Sequence, residues 1–262
     1  MLRYLRLYGC FVRFSFSRAL QFRLDFFFRV VMDCMFYAMH LGFFAILYGH
    51  VAELGGFDRH QTMIFCAGFF FVDALHMTIF SNNMWHLPSL INQGDLDYYL
   101  VRPAATLFFV SLQEFAANSF LNLLITAGIL VWAIATYPSP LTTIEIAGFV
   151  VLLVLGTLLY WSLYMLCILP VFWLHSAQGI KNFFFSIEQF TQRPHRIYTG
   201  WAGRLLRSVL PFAMVASYQS YLLLRGWDWR ALAELIGVVA IFFALVLGVW
   251  SRGLRVYASA SS

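Results

Sequence analysis

The sequence predicts an all-α integral membrane protein with about six transmembrane helices, and three observations carry that prediction. The chain is 61% hydrophobic and only 11% charged, whereas soluble domains are roughly 45–50% apolar and about 25% charged. Its mean hydropathy is +0.76. Its apolar residues fall into runs, most of them near the roughly 20 residues a spanning helix needs, divided by short polar or proline-bearing stretches. A chain of 262 residues holds about six such runs and has no room for a soluble domain of ordinary size, roughly 100–150 residues. It reads as a single transmembrane domain over 1–262.

The N-terminal stretch 1–28 mixes arginines (Arg3, Arg6, Arg13, Arg18, Arg23) with tyrosines, phenylalanines and leucines, and Arg29 follows directly. No clean apolar core with a small-residue cleavage site exists, so it is not a cleavable signal. The mixture suits a helix in the headgroup plane, apolar side down and arginines toward anionic lipid; a merely topogenic basic tail fits too. This arginine excess places the end in the cytoplasm. The first span is expected over 30–48. The turn 50–61, with Glu53 and Asp58, then faces outward. The second span runs over 62–80, and 81–103 returns to the cytoplasm.

The third span starts after Pro103, a natural first helical residue, and continues to about residue 136. Tyr137-Pro138-Ser139-Pro140 is a tight exterior turn, because each proline pushes the residue before it toward extended geometry. The fourth span lies within 144–170. Beyond it two arrangements compete. In one, 175–192 crosses outward and 193–226 is an outer-face segment that dips in and returns. In the other, 175–208 stays cytoplasmic and 209–224 crosses. Arg193, Arg196, Arg204 and Arg207 favour the second; the shortness of 209–224 and Pro211 favour the first. Both return the last span, 231–250, to the cytoplasm, in agreement with Arg252 and Arg255.

The net charge of +5 is almost all arginine, Lys181 being the only lysine. It reads as topology and anionic-lipid contact, not nucleic-acid binding. Cys10, Cys34, Cys66 and Cys167 are far apart and lack the close pairs of a metal or redox site. The lone lysine precedes Asn182 without the glycine spacing of a phosphate loop, so no ATP site of that kind exists in the chain. No histidine pair has metalloprotease spacing and no serine sits in a nucleophile elbow. Catalytic residues, metal ligands and bound cofactors are therefore not expected, and an integral-membrane enzyme is disfavoured.

Ionisable residues inside spans are costly and often functional. Asp73 and His76 lie three apart on one helix face, lining a polar path or making an interhelical hydrogen bond. Glu114 lies inside the third span, ahead of the small residues Ala116 and Ala117. Lys181 and Glu188 are seven apart and share a face if 175–192 spans. These five are the candidates for a translocation path. The clusters Phe26–Phe28, Phe69–Phe71 and Phe183–Phe185 point all round their helices and read as lipid contact and packing. Trp85, Trp201, Trp227 and Trp229 suit interface anchoring.

The most distinctive stretch is Gly94-Asp95-Leu96-Asp97-Tyr98-Tyr99-Leu100-Val101-Arg102-Pro103, a charged island between apolar runs. With the arginine-rich N-terminus and Pro194…Ile197-Tyr198-Thr199-Gly200-Trp201…Leu210-Pro211-Phe212-Ala213, it resembles the six-span membrane subunits of bacterial ABC-2-type exporters whose ATPase is a separate chain. One departure is Gln219, where these permeases more often carry a proline. The resemblance implies two permease subunits, identical or homologous, each docked on an ATPase that binds ATP and Mg²⁺. It implies a location in the bacterial inner membrane with both termini cytoplasmic. It also makes Gly94, Asp95, Leu96, Asp97, Tyr98, Tyr99, Leu100, Arg102 and Pro103 the ATPase-coupling residues, and 175–192 the fifth crossing. Physically, Asp95, Asp97 and Arg102 suit charge-assisted bonds to a soluble partner, with Tyr98, Tyr99 and Leu100 as anchors. The rival reading is an ion- or proton-coupled carrier using the intramembrane carboxylates.

Overall fold

The computed structural model describes residues 2–19, 23–103, 105–174 and 178–257, and all regular structure among them is helical. Among the described residues five helical stretches are long and apolar enough to cross a membrane: 27–47, 59–93, 117–135, 143–174 and 229–256. They belong to α2 (Arg23–Leu47), α3 (Arg59–His76) with its extension α4 (Asn82–Gln93), α7 (Ala117–Ala135), α8 (Thr143–Ile168) and α13 (Trp229–Val256). Ahead of them, α1 (Leu2–Ala19) is the separate N-terminal helix. The charged turns 94–103 mark one end of the bundle, here called basal. The turn at residues 48–57 marks the other, apical, end.

Helix starts follow local capping chemistry. Asp58 accepts from the Gln61 amide at 2.8 Å while the Gln61 side chain accepts from the Asp58 amide, so a capping box opens α3. Thr142 and Glu145 do the same for α8. Helix α3 is the centre of the bundle, packed on α2, α7, α8 and α12 (Ser217–Arg225), while α13 packs along α8. Phe65, Phe70, Phe149, Leu153 and Met165 fill the interior. By contrast α2 is peripheral, and Met32, Met35, Met39, Phe43 and Ile46 face outward from it.

Two spans differ from the sequence expectation. The second does not end near residue 80: a π-helical turn, Met77–Ser81, joins α3 to α4, and the helix runs on to Gln93. At 1.5 Å per residue its 35 residues reach roughly 50 Å, well beyond the ~30 Å hydrocarbon layer. The third is broken: α6 (Thr106–Leu112) and α7 are separated by 113–116. Backbone accounting explains the break. The Ala116 amide donates to the Thr78 carbonyl within the π turn at 2.9 Å. Asn83 Nδ2 donates to the Glu114 carbonyl, and the Glu114 amide donates to Asn83 Oδ1, both at 2.8 Å. One side-chain amide thus replaces the helical partners lost there. Ser15 of α1 accepts from the Phe115 amide at 3.2 Å.

Between α8 and α13 no single long helix forms among the described residues. The chain passes α9 (Val171–Leu174) at the basal end, then rises through α10 (Gln178–Glu188) and a 3₁₀ turn, Gln189–Gln192. Ile197 and Arg196 then lie against Gly55 and Gly56 of the apical turn. Past α11 (Gly200–Ser208) the chain dips inward. The carbonyl of Val215 and the side chain of Gln219 press on Gly156 at the middle of α8. The short helix α12 then climbs back, and Arg225 donates to the Gly56 carbonyl at 2.8 Å. From α10 through α12 the chain thus reaches the apical turn, dips to the middle of α8 and returns to the apical turn. A buried clasp closes the dip: Ser217 Oγ lies 2.8 Å from both the amide and Nδ1 of His195.

Candidate functional site

Two polar places stand out against an apolar body: the basal element 94–103 and a cluster at mid-bundle. Gly94, at φ 81°, ends α4 in the left-handed conformation that costs glycine nothing. Leu96 is fully buried and pins the turn. One helical turn, α5 (Asp97–Leu100), follows. Tyr98, Leu100 and Val101 point outward, with Val101 83% exposed. Tyr99 turns inward, and the Arg102 guanidinium lies over the rings of Tyr99 and Phe109 at 5.3 and 5.2 Å. The outward apolar face is thus Tyr98, Leu100 and Val101; Tyr99 and Arg102 belong to its support.

That element is held from three sides. It tips the hairpin of α4 and α6, which pack on each other. Helix α1 braces α6: the Ala105 amide donates to Tyr4 Oη at 3.2 Å, and the Tyr4 and Phe108 rings meet at 4.8 Å. Phe11 and Phe16 continue the contact along Phe109, Phe115 and Phe120. The third support is the end of α13. Burial, and after it the Asp97 charge alongside, hold the Tyr257 phenol above its ordinary pKa. Phe172 of α9 packs between Trp250 and Tyr257 and over Gly253.

At mid-bundle, Asp73 lies within electrostatic reach of Glu188 on α10 and Asp33 on α2. Glu188 accepts a hydrogen bond from Tyr160 of α8, whose ring meets that of His76 at 4.3 Å. Asp33 accepts from the Asn122 amide of α7. His76 Nε2 is buried with no hydrogen-bond partner among the described residues. Asp73, His76 and Glu188 therefore come together, as their separate positions in the sequence did not show. Glu114 lies elsewhere, at the break in the third span, 3.9 Å from His86. The Lys181 side chain lies outside the described residues. Asp33, Asn122 and Tyr160 were not singled out from the sequence. Asp33 carried a usable signal, a carboxylate within an apolar run. Tyr160 and Asn122 carried none, since neutral polar residues are common in spanning helices. No group of three or more His, Cys, Asp or Glu side chains able to hold a metal ion occurs among the described residues.

No curated protein and no solved structure matches the chain. Residues 34–261 match the family described as ABC-2 family transporter protein. That match begins inside α2 and takes in the extended α4, the 94–103 element, the dipping segment and α13. An all-helical body with five helices long enough to span, matched over 34–261, is a multi-pass membrane protein with a permease's role in transport, and the chain belongs to the ABC-2 transporter family.

Proposed function

We propose that this permease is the membrane subunit of an ATP-driven exporter and that 94–103 is its contact with a separate ATPase. The observation that carries the reading is the exposed Tyr98, Leu100 and Val101 face on the tip of a helical hairpin. A patch of that kind, rimmed by Asp95 and Asp97, fits a soluble partner that grips by apolar anchors and charge. Its three supports connect it to α1, to the second and third spans, and to the last span. Force applied there reaches most of the bundle through packed helices. In this reading the basal end is cytoplasmic and α1 lies on the membrane surface. The segment 193–226 is on the outer side. Two permeases and two ATPases, the latter holding ATP and Mg²⁺, form the complex in a bacterial inner membrane.

Co-purification of an ATPase with the permease tests the docking. Tyr98→Ala with Val101→Asp should abolish co-purification, and Asp95→Ala with Asp97→Ala should lower transport-coupled ATP hydrolysis at least tenfold, about 1.4 kcal/mol. A complex that survives both changes intact rejects the assignment of 94–103. The mid-bundle cluster favours a second reading, an ion- or proton-coupled carrier in which Asp73, Glu188 and His76 form the relay. Transport by the permease alone in vesicles, driven by a proton or sodium gradient without any ATPase, would establish that second reading.

A further inference from the structure

A cleft of about 470 Å³ opens on the flank of the bundle, between the start of α2, the π turn with α4, and the start of α7. It sits where the apolar stretches of α2 and α7 begin, at Phe27 and Ala117, and the ends of such stretches are where lipid headgroups are expected. We propose that this cleft binds the phosphodiester headgroup of a membrane phospholipid, independently of how transport is powered.

The polar wall has the chemistry of an anion site. Arg29 supplies a guanidinium suited to bidentate contact with phosphate. Opposite it, α7 begins with Ala116 as N-cap and no side-chain cap. The Ala116 amide is spent on Thr78, but the first-turn amides of α7 have no helical acceptor, and the positive end of a 19-residue helix faces the cleft. Ser119 is an independent pointer. It is 8% exposed, lines the cleft, and its hydroxyl bonds to no other described residue. Asn82 and Asn118 add amide donors on either side.

Charge sets which phosphate fits. Asp33, one turn beyond Arg29 and within its electrostatic reach, also lines the cleft. A carboxylate there opposes a second negative charge, so a singly charged diester suits the site better than a dianionic monoester. His86, the remaining titratable group at the mouth, is drawn to Glu114. The rim is apolar: Phe28, Met32 and Met77 are exposed beside the opening, and flexible thioethers conform to acyl chains. Trp85 donates to Ser81 at 3.1 Å, fixing an indole at interfacial depth.

The test uses the full chain, delipidated in detergent and titrated with dioleoyl phosphatidylglycerol, with bound lipid counted by native mass spectrometry. Arg29→Gln and Asn118→Leu should each weaken the tightest lipid by roughly tenfold or more, the loss expected for one charge-assisted hydrogen bond. Arg252→Gln, an equal change of charge at the end of α13, should leave it unchanged. Asn118→Leu keeps the test usable should Arg29→Gln fail to fold. Equal weakening by Arg252→Gln would reduce the effect to general attraction and overturn the proposal. So would displacement of the lipid by millimolar glycerol 3-phosphate, which would make the ligand a soluble phosphate. A disulfide between Met32→Cys residues of two copies, formed equally with and without lipid, would assign the cleft to a second chain and overturn it as well.

Discussion

Gly156 shows how far a single residue sets the path of the chain through this bundle. Its missing side chain is what lets the Val215 carbonyl approach α8, and a Cβ there would overlap that carbonyl and crowd Gln219. Gly156→Ala should therefore destabilise by roughly 1–3 kcal/mol, the range for overpacking a well-packed site, read as a lower Tm in detergent. An unchanged Tm would mean that 215–219 does not pack on α8. Gln219 is the converse case. Its amide nitrogen and oxygen are fully buried without hydrogen-bond partners among the described residues, a condition that costs about 1–3 kcal/mol. Gln219→Leu should hold or raise Tm, and a clear fall would reveal a partner for the amide. Gln219 thus places a polar residue at the inner end of the dip.

At the scale of elements, the break in the third span and the π turn in the second form one device. The π turn frees the Thr78 carbonyl for Ala116, and Asn83 satisfies both backbone groups of Glu114. Asn83→Leu leaves those two groups unpaired in a buried place, at about 1–3 kcal/mol each. The expected readout is faster amide exchange confined to α6 and 113–116, with α7 still protected. Uniformly faster exchange across α7 would show that the break has no separate stability. This geometry was not legible in the sequence. Residues 104–136 read as one apolar run, and Asn83 sits in a stretch whose helical character was hidden by Asn82, His86 and Pro88.

The whole molecule converges on the basal end, where α1, the α4–α6 hairpin and the end of α13 all support 94–103. Tyr257→Ala removes only the α13 support. On the proposed docking to an ATPase, the expected outcome is a permease that still co-purifies with that ATPase but loses several-fold of its ATP-driven transport. Coupling at the wild-type level would show that α13 does not carry force from this element. Composition pointed to 94–103 in advance, because an apolar chain with one charged island leaves few places for a soluble partner to hold. Direction within the island was another matter: Tyr98 and Tyr99 are adjacent and alike, yet one faces water and the other supports Arg102.

The sequence alone determined the all-α membrane class and marked 94–103 as a charged island between apolar runs. Each of these rests on local hydropathy or on neighbours within a few residues. The tertiary structure decided what depends on distant partners: the broken third span, the inward dip at 209–216, and the meeting of Asp73, His76 and Glu188. Backbone groups freed from a helix need acceptors, and buried carboxylates need donors. Those partners lie tens of residues away, where only packing can bring them.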